Sequence, residues 1–98
     1  MSRVADVVNE FRKAEAAMRR LDGRTAATTS ARQRHQSRSD HADSSLRDAG
    51  LDTLRGLLNE EAGLIDRLTG VPSGGRPELR ERLKLVRREI RKEVAAHS

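Results

Sequence analysis

Arginine dominates the side chains in this sequence that are able to do chemistry, alongside three histidines, a few paired acids and no cysteine. His35 and His41 stand six residues apart, with Asp40 and Asp43 nearby. Two histidines that grip one metal from a helix need i,i+4 spacing, and six residues turn them to different faces. The absence of cysteine removes thiol nucleophiles, disulfides and every thiolate zinc site. His97 stands one residue from the last. No metal site is expected.

Ser73-Gly-Gly-Arg76 has the glycines of a phosphate-cradling loop, but no Lys-Ser or Lys-Thr follows it and no strand precedes it. It reads as a turn. Glu60, Glu61 and Asp66 are placed on the polar face of a helix, where solvation is the ordinary role of such acids. Hydrolysis or group transfer needs a nucleophile beside a base, or two carboxylates held apart in a cleft. A thin helical chain offers no enclosed pocket for either, so no catalytic residue, cofactor or small-molecule substrate is expected.

What remains is cationic. Seventeen of the 20 cations are arginine, whose planar guanidinium pairs bidentately with carboxylate or phosphate. Residues 71–98 carry a net +4, eight cations against four anions, whereas residues 51–70 carry a net −2. Arg80, Arg87, Arg88, Arg91 and Lys92 fall away from the apolar stripe of the last helix, and Arg24, Arg32, Arg34 and Arg38 punctuate a polar middle segment. They form the candidate contact to a nucleic-acid phosphate backbone. Interleaved Glu78, Glu81, Glu89 and Glu93 fit a salt-bridged helix face equally well. The lone aromatic, Phe11, excludes a base-stacking platform.

These groups must be positioned by helices. Glycine is sparse, proline occurs twice and β-branched residues are few, so an all-α chain without β-strands is expected. Val4, Val7, Phe11, Ala14, Met18 and Leu21 recur in steps of three and four, predicting an amphipathic helix over residues 1–22 with Ser2 as its cap and Gly23 as its stop. Residues 23–45 hold no apolar side chain larger than alanine. They predict a linker or a solvated continuation of the first helix, which as one rod to residue 48 would reach about 70 Å. Thr25, Thr28, Thr29 and Ser30 oppose unbroken helix there.

Ser45-Leu-Arg-Asp48 has the form of a capping box and predicts the start of the next helix. Leu51, Leu54, Leu58, Ala62, Ile65 and Leu68 make its apolar face, and Gly70 with Pro72 ends it. Gly56 and Gly63 within it either permit a close helix approach or are simply tolerated. Pro77 opens the last helix, whose stripe is Leu79, Leu83, Val86, Ile90 and Val94. Residues 46–98 thus read as an antiparallel helical hairpin. The whole chain reads as one unit, a long N-terminal helix plus that hairpin in a three-helix bundle or coiled-coil-like arrangement.

Leu, Ile, Val and Phe number 20 of 98 residues, close to the level at which a charged chain stays disordered. The expected remedy is another chain: a helical assembly or adaptor protein that self-associates or docks on a larger complex. Its interface would use Val4, Val7, Phe11, Met18, Leu21, Leu54, Leu58 and Ile65. No membrane partner is expected, because no apolar run approaches the ~20 residues of a bilayer span. Asp6 and Glu10 interrupt anything like an export signal, so a cytoplasmic setting is expected.

Overall fold

The computed structural model describes residues 3–21 and 29–97, and every regular element among them is a helix. There are four: α1 (Arg3–Leu21), α2 (Thr29–Asp48), α3 (Asp52–Leu68) and α4 (Pro77–Ala96). The expected all-α class therefore holds, but with one helix more than the periodicity indicates. The proposed Ser2 cap, the Gly23 stop, Thr25, Thr28 and Arg24 lie outside the described residues.

α2 corrects the reading of residues 23–45. Arg38 reaches Glu10, and Arg32 reaches the Met18 carbonyl. Rising numbers on α2 thus meet falling numbers on α1, and the two helices run antiparallel. α1 and α2 therefore do not form one continuous rod, and the described residues extend 40 Å along their longest axis. α2 also builds core, through Ser39, Ala42 and Leu46, all buried. Ser39 and Ala42 are small and carry little hydrophobic signal. They let α2 lie close to α1, with Ala42 and Leu46 in one cluster with Val8 and Phe11, because helix separation is set by the side chains at the contact.

The capping-box reading of Ser45 is also overturned. Ser45–Asp48 is the last turn of α2, and the Ser45 hydroxyl donates back to the His41 carbonyl at 2.9 Å. Termination follows from Gly50, whose φ of 75° is open to glycine at little cost. The Leu51 N–H bonds the Leu46 carbonyl and the Gly50 N–H bonds the Arg47 carbonyl, which is a Schellman motif. Leu51 then packs against the core that holds Leu46, so α3 begins only at Asp52.

Further along, the stop and start signals fall where the sequence places them. Gly70 adopts φ 80° after α3, and Pro77 opens the first turn of α4. Arg80 closes the connection by donating to the carbonyls of Gly75 and Pro72. One core is shared by all four helices: Val8 and Phe11, Ala42 and Leu46, Leu54, Leu58 and Leu64, Val86 and Ile90.

The glycines separate by conformation. A Cβ built on Gly56 or Gly63 meets nothing within 4 Å, so neither serves a close helix approach. Gly56→Ala and Gly63→Ala are each expected to raise the unfolding free energy by about 0.5–1 kcal/mol through helix propensity. Gly50→Ala, in equally open space but at positive φ, is expected to lower it by about 1–2 kcal/mol. Urea melts of the three variants check the opposite signs; a stabilised Gly50→Ala chain contradicts the assigned turn.

Candidate functional site

The chain's own atoms cover most of the apolar residues assigned to an interface. Phe11, Met18, Leu54 and Leu58 are buried, while Val4, Val7, Leu21 and Ile65 are half-buried. Val4 and Val7 pack against the shared core. Of the eight, Phe11 and Ile65 also line a groove between α1, α3 and α4. The apolar residues of all four helices meet in one cluster among the described residues.

The cations of α4 are unequally engaged. Arg80 holds the α3–α4 connection, Arg87 pairs with Glu61 at 3.1 Å, and Lys92 pairs with Glu89 one turn earlier. Arg88 and Arg91 are exposed and make no ion pair among the described residues. On α2, Arg38 is held by Glu10 and His35, Arg32 by the Met18 carbonyl, and Arg34 is exposed.

His35 and His41 join no group of metal-ligating side chains among the described residues. Among the described residues no three His, Asp or Glu side chains converge. Gly74 takes φ 87° and the Gly75 N–H bonds the Pro72 carbonyl, so Ser73–Gly75 is a tight turn. Glu60 is gripped by Arg82 through two bonds of 2.6 and 2.9 Å. No described helix is long and apolar enough to cross a membrane.

Glu61 is the residue that the sequence reading misplaces. It is 4% exposed rather than solvated. Arg12 donates to both its oxygens, at 2.9 and 3.0 Å, and Arg87 donates to one. The signal was present: Leu51, Leu54, Leu58, Glu61, Ile65 and Leu68 alternate steps of three and four, so Glu61 occupies a core slot of that heptad. A carboxylate there must be paired and hydrogen-bonded to be buried, and two arginines on neighbouring helices do this.

Around this carboxylate lies a groove of about 430 Å³, lined chiefly by Phe11, Ala16, Ala62 and Ile65 on its apolar side and by Arg12, Arg19, Arg87 and Arg91 as cations. Arg19 is anchored by Asp66 and by the Ala62 carbonyl. Glu15, also in the lining, accepts from the buried Ser39 hydroxyl at 2.8 Å. Arginines held in place above an apolar floor present oriented donors to an anion.

A second clasp joins α2 to α3. Arg55 donates to both oxygens of Asp43 and also to Asp52, and Asn59 adds a bond to Asp43. Hydrogen bonds from Arg55 hold the Asp43 carboxyl below its ordinary range, against the opposing effect of burial. Arg82 does the same to Glu60, and Arg38 to Glu10. A depressed carboxylate contributes stability above the unfolded-chain range near ~4 and loses it as pH falls through its lower folded value. Urea midpoints are therefore expected to fall on acidification from about pH 6 to about pH 2, and Arg55→Met is expected to flatten that dependence. An unchanged pH profile in Arg55→Met excludes the clasp as a contributor.

Comparison of the chain with protein-family models, with curated proteins and with solved structures returns no match.

Proposed function

We propose that this chain is a non-enzymatic adaptor that docks on a larger protein through its charged outer surface, with its apolar stripes serving its own core. The observation that carries the reading is the division of labour between side chains. Phe11, Leu58 and Ile90 are sealed at 1–3% exposure, which removes the drive for self-association through the seams. The arginines of α1 and α4, by contrast, converge on an open groove. Charged surfaces of this kind contribute specificity and association rate to protein docking.

Photo-crosslinking in the cell that makes the protein tests this directly. A photoreactive residue replaces Ala16, Leu85 or Ser37 in turn, covering three surface regions. Adducts with discrete proteins from at least one position are expected, together with a monomeric mass in light scattering. Absence of adducts from all three positions, or a stable homo-oligomer whose melting depends on concentration, removes the reading.

A nucleic-acid contact is the second reading, and exposed Arg88 and Arg91 favour it. Magnitude argues against its strength. Of the five cations assigned to phosphate, three already have partners, and two phosphate contacts give a slope of only about −2 in log K against log salt. A measured slope steeper than about −5 on a short duplex restores this reading to first place.

A further inference from the structure

We infer that the groove between α1, α3 and α4 docks an acidic segment of a partner protein, whose carboxylates meet Arg12, Arg87 and Arg91 and whose apolar side chain rests on Ala62 and Ile65. This rests on the adaptor reading and narrows it to one surface and one chemistry.

Four arginines in the lining against Glu15, Glu61 and the Asp66 that holds Arg19 leave the groove with a net charge of +1, which favours an anion. Arg12 and Arg87 share one carboxylate, Glu61, which leaves one positive charge uncompensated at the floor. Arg91, one turn beyond Arg87, adds a second charge with no ion pair among the described residues. Of the acids in the lining, Glu61 is neutralised by two arginines, whereas Glu15 accepts only from the neutral Ser39 hydroxyl and keeps its charge, which directs an incoming carboxylate towards the Arg87 and Arg91 side. Arg12 donates through Nε and one Nη, and Arg87 through Nε alone. Further N–H donors on both guanidiniums remain, in planes fixed by a buried carboxylate. Such preorganised donors suit carboxylates in a way that mobile lysines do not.

The floor selects between anions. The half-buried Ile65, Ala62 and Ala16 reward an apolar side chain, and a phosphate backbone has none to offer. A volume of about 430 Å³ falls in the range of sites that take a few side chains. A duplex meets only the arginine rim, whereas an acidic peptide satisfies rim and floor together.

The test uses the full chain and a fluorescein-labelled peptide of about twelve residues, some 18 Å as a helix, made of Glu and Ala with a leucine at every fourth position. The same peptide with Gln for Glu, and a short labelled duplex, serve as comparisons. Anisotropy is read at about 50 and about 200 mM salt. Binding of the acidic peptide that weakens with salt is expected. Arg91→Glu and Ala16→Glu are each expected to weaken it at least about tenfold, as loss of a charge-assisted bond implies. Arg34→Glu, the same charge change on α2, should weaken it less than about threefold. Circular dichroism melts verify that the exposed substitutions leave the fold intact.

No peptide binding up to about 1 mM, equal binding of the Gln peptide, an equal loss in Arg34→Glu, or tighter binding of the duplex each overturns the inference. Crosslinks from Ser37 or Leu85 but not from Ala16 leave the adaptor reading standing and exclude this groove.

Discussion

Leu54→Ala and Leu58→Ala are each expected to lower the unfolding free energy by about 3 kcal/mol, which removes a large share of the stability of a domain this small. The two leucines are 0% and 1% exposed. They sit on successive turns of α3 within the one apolar cluster, so each truncation forfeits transfer energy and leaves a cavity lined by more than one helix. Leu85, which is 46% exposed on the outer face of α4, supplies the control, and Leu85→Ala should change stability by less than about 0.5 kcal/mol. Urea denaturation of the three variants checks the contrast. Losses below about 1 kcal/mol for both core leucines are incompatible with four helices closing on a single core.

Helix existence was readable wherever large apolar side chains repeat. The stripes of α1, α3 and α4 needed only the alternation of three and four, and Gly70 and Pro77 marked their boundaries by backbone chemistry alone. α2 escaped because its core face consists of Ser39, Ala42 and one leucine at its very end. Hydropathy cannot distinguish a buried small residue from an exposed one, and Ala42 becomes core only by joining the cluster of Val8 and Phe11 on α1. Ser45 misled for a related reason: a serine three residues before an acid satisfies the pattern of a cap, yet its hydroxyl is equally content with a carbonyl one turn back. The decisive signal lay in Gly50, which ends the preceding helix. Within the groove the arginines of α4 were readable as a set, but Arg12 and Arg19 were not. Their role depends on α1 lying beside α3, a tertiary fact that no local pattern encodes.

Glu61 and its two arginines are expected to respond asymmetrically to substitution. The carboxylate side chain is 5% exposed, whereas those of Arg12 and Arg87 are 38% and 48% exposed. Arg12→Met combined with Arg87→Met strands a buried anion and should cost about 3 kcal/mol. Glu61→Met leaves two guanidiniums that can turn to water, and it fills a heptad slot with an apolar side chain of similar length. Its stability should lie within about 1 kcal/mol of the parent chain, on either side. Adding Glu61→Met to the double arginine variant should then recover most of the loss, since no buried charge is left. Urea melts of the four chains form the cycle. A double arginine variant as stable as Glu61→Met would mean that the carboxylate is not confined. The same substitution separates orientation from charge at the groove. Glu61→Met makes the chain more positive by one, so a purely electrostatic surface would bind an acidic peptide more tightly. If the carboxylate instead holds Arg12 and Arg87 in the plane a partner needs, affinity falls while net charge rises, and the sign of that change decides which description is right.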